Sequence, residues 1–233
     1  MKTIFLMLIS VFTFNMSYGQ DSIQTIQSKS GLITLSPKKN LQKNTNGINL
    51  GILDSYEHHQ KINGINLQAN PYFIIYPLIP KAIEGPAKEE ATVTVNGIHI
   101  STSGMFDGKN LNGLGISAYH HAYETNGISV NVYNNTSINL NGLHISGFAN
   151  SSDKGRGVHI AIMGNYSENF QGLMIGAFNE SPEIKGLHIG IFNKADKMKG
   201  LQIGLINKNT SGRNFQIGFW NKNAKRTLPI INF

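Results

Sequence analysis

Gly186-Leu-His-Ile-Gly-Ile-Phe-Asn193 and Gly200-Leu-Gln-Ile-Gly-Leu-Ile-Asn207 are two copies of one phrase, and how that phrase folds decides the architecture. A third copy precedes them at Gly172-Leu-Met-Ile-Gly-Ala-Phe-Asn179, and a fourth follows at Asn214-Phe-Gln-Ile-Gly-Phe-Trp-Asn221. The leading positions Gly157, Gly172, Gly186, Gly200 and Asn214 lie 15, 14, 14 and 14 residues apart, a regularity that marks a repeat architecture. Within each copy apolar residues alternate. Leu187, Ile189 and Ile191 fall on one side of an extended strand, and His188, Gly190 and Phe192 on the other. The closing Asn and the Lys, Asp, Ser or Gly after it read as turn chemistry.

Working outward, further leading glycines stand at Gly97, Gly113, Gly127 and Gly142, at intervals of 14 to 16 residues. Degenerate copies appear at Asn46-Gly-Ile-Asn-Leu-Gly-Ile52 and Asn63-Gly-Ile-Asn-Leu67. Turns absorb one- or two-residue differences, whereas a slip inside a strand would reverse its faces. Residues 71–91 interrupt the repeat, and Pro77 and Pro80 argue against a central strand there. Residues 20–45 form a polar lead-in with one candidate strand at Leu32 to Leu35. Residues 46–233 then make a single β-repeat domain.

The first 19 residues, Met-Lys followed by an apolar run from Ile4 to Phe14 and small residues at Ser17 and Gly19, read as a secretory signal peptide. The 233-residue chain has no cysteine, which excludes disulfides and thiolate metal sites. Its formal charge of +7 becomes +6 without Lys2. Behind an export signal that charge points to anionic lipid or envelope polysaccharide rather than nucleic acid.

Two ways of folding one strand per repeat compete. A strand of about 8 residues is some 26 Å long. The remaining six residues scarcely recross that distance, so neighbouring units are expected to run antiparallel. The expected fold is all-β: an up-and-down meander closing into a shallow β-barrel of roughly 12 strands, since closure removes exposed edges. The alternative is a β-solenoid with about 14 residues per coil, provided each period breaks at its central Gly into two shorter strands. An Asn ladder, and the apolar residue two before each leading Gly (Leu140, Phe170, Ile184, Met198), favour that alternative. Three aliphatic positions per strand give too short a band for a spanning barrel, which suggests a shallow one partly embedded in or resting on the envelope.

Gly200-Leu-Gln-Ile-Gly-Leu-Ile-Asn207 and the ending Gly218-Phe-Trp-Asn-Lys-Asn-Ala-Lys-Arg-Thr-Leu-Pro-Ile-Ile-Asn-Phe233 resemble the surface-repeat proteins of spirochaetes and Bacteroidetes-type bacteria. The resemblance implies an exported surface or outer-membrane protein and carries no catalytic residues with it.

Chemistry is sparse. His99, His144, His159 and His188 share one repeat position, and His144 with His159 is a weak metal candidate. Gln202, Gln216 and Ser129 take the same position elsewhere, so a merely polar, wet site is the expectation. Acids such as Asp153, Glu168 and Asp196 are assigned to turns, with no carboxylate pair fixed for acid-base work. Ser101, Ser117 and Ser146 occupy a small-residue slot that packing explains. No catalytic residue and no cofactor is expected. An exported, non-enzymatic envelope scaffold is the expected function, at the outer membrane or cell surface, with the periplasm as alternative. Lys194, Lys197, Lys199, Lys208, Arg213, Lys225 and Arg226 would contact anionic surfaces. The alternative is a barrel carrying a small apolar ligand or lipid. The direction in which Leu187, Ile189 and Ile191 point separates the two.

Overall fold

The computed structural model describes residues 30–36, 44–52, 60–71 and 86–233, without the side chains of residues 105–108. The expected signal peptide, the adjacent histidines His58 and His59, and most of the 71–91 insertion lie outside the described residues. Eleven strands form one sheet in sequence order: β1 Ser30–Ser36, β2 Asn44–Ile52, β3 Gln60–Ala69, β4 Val93–Ser101, β5 Gly104–Ser117, β6 Tyr119–Asn131, β7 Asn134–Ser146, β8 Ala149–Ala161, β9 Gly164–Ile175, β10 Phe178–Lys222 and β11 Thr227–Asn232. A short 3-10 turn, Lys88–Glu90, precedes β4. The lead-in strand expected at Leu32 to Leu35 is the core of β1.

Every pairing from β1 to β10 is parallel. Like stacks on like: Gly142 pairs with Gly157, Gly157 with Gly172 and Gly172 with Gly186. The chain is therefore a β-solenoid of about nine turns, and the antiparallel barrel is corrected to the alternative. The reach argument failed because no 26 Å strand exists to be recrossed. Each leading Gly bends the chain with a positive φ, +129° at Gly142 and +148° at Gly200, so that one coil holds two short segments. A Cβ on Gly142 would sit 1.8 Å from the carbonyl oxygen of Gly127 in the coil below. Only glycine permits that contact. The 45-residue β10 winds through three such periods without leaving the sheet.

The extra residue of the 15-residue coils is taken up at one corner. Asn150, Asn165 and Asn179 stay in register. Each stands 7 residues before Gly157, Gly172 and Gly186 respectively. Ile160 pairs with Ile175 and Gly164 with Phe178, so the addition in that coil falls between Ile160 and Gly164. At the carboxyl end β11 turns back antiparallel on β10. Arg226 fastens it, donating from Nε to Asn232 Oδ1 at 3.1 Å and from Nη2 to the Phe233 carbonyl at 2.9 Å, with its guanidinium 4.6 Å above the Phe233 ring. An antiparallel strand stops the stacking that a parallel edge would invite.

The interior is narrow and largely polar. Leu140, Phe170, Ile184 and Met198, two before the leading glycines, are all buried; Phe170, Ile184 and Met198 form one apolar cluster, and Gly155 separates Leu140 from it in the column. Phe170 packs into the space left by Gly155, where a Cβ would lie 2.6 Å from its ring. The remaining interior columns are Asn, Ser, His and Gln.

Candidate functional site

A buried amide needs donors and an acceptor satisfied. Translation by one coil supplies both when the same amide recurs. Asn150, Asn165, Asn179, Asn193, Asn207 and Asn221 form that ladder inside the solenoid, each Nδ2 donating to the next Oδ1 at 2.7 to 2.9 Å. All but the last also donate to the strand carbonyl ten residues on, as Asn193 does to Ile203 at 3.0 Å, while Asn221 donates to the Gly218 carbonyl at 2.8 Å. A second ladder runs outside, from Asn46 through Asn63, Asn96, Asn112 and Asn126 to Asn141, at 2.7 to 3.0 Å. The strand-end asparagines are thus structural rungs more than turn formers.

The histidine position is corrected in the same way: it is dry. His99, His144, His159 and His188 are 0% exposed. Their column begins with Asn49 and Asn66, whose amide donates to His99 Nδ1 at 2.9 Å, and ends with Gln216 donating to Gln202 at 2.8 Å. Ser129 Oγ lies 2.8 Å from His144 Nδ1. His144 and His159 occupy adjacent coils with ring centroids 5.1 Å apart, edge to face, and His159 meets Phe170 likewise at 4.7 Å. Both ring nitrogens of His188 lack a hydrogen-bond partner. Burial holds these imidazoles neutral: His159 falls to about 3, with His144 adding to the effect, and His144 and His188 to about 4. His120, outside this column but also buried, falls to about 3, and its Nε2 lies 2.8 Å from Thr125 Oγ1. Among the described residues no three metal-ligating side chains come together, and Met174 separates His159 from His188.

The serine slot is hydrogen-bonded as well as small: Ser117 Oγ donates to Asn131 Oδ1 at 2.9 Å and Ser146 Oγ to Asn150 Oδ1 at 2.7 Å. Asp153, Glu168 and Asp196 stand on the outside of strands rather than in turns. They share no cleft.

The basic residues divide. Lys194 bonds Glu180 at 2.5 Å, which raises its pKa, and Lys197 lies 3.6 Å from Glu183. These pairs bridge successive coils on the charged side of the solenoid. Arg226 belongs to the terminal clasp. Lys199, Lys208, Arg213 and Lys225 are exposed. Arg213 and Lys225 flank an open groove of about 550 Å³ beside Phe215 and Phe233, whose rings stack at 6.5 Å.

The most conspicuous surface is the one the alternation defined. Its aliphatic side points out. Ile48, Ile65, Ile98 and Ile128 begin one exposed column, and Leu50, Leu67, Ile100, Ile116, Val130 and Ile145 a second. A third, at the end of the strand segment, carries Ile162 (73% exposed), Ile191 (53%), Leu205 (60%) and Phe219 (77%). The small or polar side, including His188 and Gln202, fills the interior, so among the described residues the aliphatic columns stand outside it, with an open surface groove of about 350 Å³ between Leu50, Leu67 and Ile100. At about 4.8 Å per coil and 3.3 Å per residue the apolar face measures roughly 48 Å by 13 Å, some 600 Å². A typical monomer's largest patch is no bigger and is often functional. Reading alternation alone located this face but could not tell that it faces solvent.

A single-sheet parallel β-solenoid with a self-bonded polar interior and one unpartnered aliphatic face is the class these features define. No protein-family model, curated protein or solved structure matches the chain.

Proposed function

We propose that this is an exported, non-enzymatic protein of the cell envelope, a rigid scaffold that presents its aliphatic face as an interaction surface at the outer membrane or cell surface. The outward direction of the Leu/Ile columns is the observation that supports this reading most. An exposed face of that size is retained at the expense of solubility, and covering it is favourable at about 25 cal/mol per Å². The amino-terminal leader supports export. The carrier alternative loses its premise, because a packed Asn, His and Gln interior leaves the aliphatic side chains nothing to enclose. Exposed Lys208 and Lys225 on other sides suit an anionic envelope polymer.

Fractionation tests the reading. The wild-type chain should be recovered with the envelope and released by detergent. A variant carrying Ile191→Gln, Leu205→Gln and Phe219→Gln should move to the soluble fraction with its circular dichroism intact. Recovery of the wild-type chain wholly in the soluble fraction would overturn the proposal.

A further inference from the structure

The two long margins of the aliphatic face differ, and their chemistry points to what covers it. One margin precedes the leading glycines. There the outer Asn ladder gives way, coil by coil, to Arg156, Gln171, Lys185, Lys199 and Arg213, all exposed. The other margin is the corner that follows the third aliphatic column. It carries Phe148, Phe178, Phe192, Ile206 and Trp220, with Phe178 and Phe192 tilted together at 6.4 Å. An apolar strip with cations on one side and aromatic rings on the other meets the three zones of a lipid interface: acyl chains, carbonyl layer and anionic headgroups.

We propose that the carboxyl-terminal half of the solenoid lies flat on an anionic bilayer. Its axis parallels the membrane plane, the aliphatic columns enter the headgroup boundary, and Trp220 sits among the lipid carbonyls. This rests on the reading of the face as an interaction surface and names the partner. A second copy fits less well. The face offers roughly 600 Å² where a standard complex uses about 800 Å² per partner. A formal charge of +7 on each copy also opposes pairing. A membrane turns that same charge into attraction. No helix among the described residues is long and apolar enough to cross a membrane, so the binding proposed is interfacial.

The only tryptophan of the chain reports the contact. Trp220 is 54% exposed, so its emission in buffer should be that of a wet indole. The full chain is mixed with phosphatidylethanolamine–phosphatidylglycerol vesicles and, separately, with pure phosphatidylcholine vesicles. Blue-shifted emission, quenching by lipids brominated near the carbonyl end of their chains, and stronger partition into the anionic vesicles are expected. A variant with Lys185→Glu, Lys199→Glu and Arg213→Glu should lose on the order of 100-fold in partition, at about fivefold for each basic residue near the surface. Ile162→Gln with Ile191→Gln and Leu205→Gln should abolish the quenching while leaving thermal melting in place. The leader is common to every variant, so these differences belong to the face. Unchanged emission with both vesicle types overturns the lipid assignment. A blue shift that grows with protein concentration in the absence of vesicles, with doubled mass in sedimentation, also overturns it and makes a second copy the occupant. The interaction face itself would then stand. It falls separately if the wild-type chain proves wholly soluble in cell fractionation.

Discussion

Lowering the pH from about 7.5 to about 5 is expected to unfold this solenoid, because its interior holds histidines that cannot accept protons while folded. Unfolded histidine titrates near 6.5. In the folded chain burial holds His120 and His159 at about 3 and His144 and His188 at about 4. Since the folded values are depressed, the unfolded chain binds more protons at every pH between the two. Stability is therefore complete above 6.5 and falls as the pH drops through the window down to 3. At pH 5 each of these four imidazoles favours the unfolded chain by about 2 kcal/mol, and together by about 8 kcal/mol. His99, held well below its ordinary value chiefly by burial, adds to the sum. That total is comparable to the whole stability of an ordinary domain, about 5–15 kcal/mol. Urea titrations followed by far-ultraviolet circular dichroism at a series of pH values measure it. The range from 7.5 to 5 lies above the ordinary titration of exposed carboxylates, which isolates the histidines. The sharper test replaces His144, His159 and His188 with Gln, the residue that Gln202 and Gln216 place in the same column. About 6 kcal/mol of the acid sensitivity should disappear with them. An unchanged urea midpoint from pH 7.5 to 5, or equal pH dependence in the Gln variant, would refute a dry, neutral histidine column.

Three further perturbations address the stacking. Gly142→Ala places a methyl 1.8 Å from the Gly127 carbonyl at a φ of +129°, and should cost about 3 kcal/mol or more in urea denaturation. Asn193→Ala removes the acceptor for Asn179 and the donor to Asn207 and the Ile203 carbonyl. A loss of about 2–4 kcal/mol is expected, and Asn193→Asp should be worse still as the pH rises above about 4, because burial raises the carboxyl pKa in the folded chain while the unfolded chain ionises normally. Arg226→Ala frees the clasp on β11. Hydrogen exchange of the β11 amides should accelerate by at least about tenfold, and light scattering should rise as the β10 edge becomes available for pairing.

The repeat, its 14-residue period and the positions that would be equivalent were all legible in the chain, as was the apolar column at Leu140, Phe170, Ile184 and Met198. The direction of winding was not. The length of a strand was inferred from uninterrupted alternation through Gly200 to Asn207, with any break expected at the central Gly204, whereas the positive φ that bends each coil falls on the leading glycine, Gly200 here. Nor did the histidines announce their burial. His188 and Gln202 look like wet positions one at a time. In the stack Gln202 is hydrogen-bonded to its like one coil on, while both ring nitrogens of His188 stay unpartnered, and both side chains are fully enclosed.

The lysines were placed in turns for a related reason. Lys194 and Lys197 find their carboxylates 14 residues earlier, a partnership that exists only once Glu180 and Glu183 lie in the coil beneath them. By itself the sequence determined that each unit has two unlike sides, one aliphatic and one small or polar, because side chains alternate along any extended chain. Which of them is inside was decided by tertiary structure alone. Polar side chains are costly to bury singly. When each coil repeats the one below at the spacing of a hydrogen bond they satisfy one another, and the aliphatic side is left facing out.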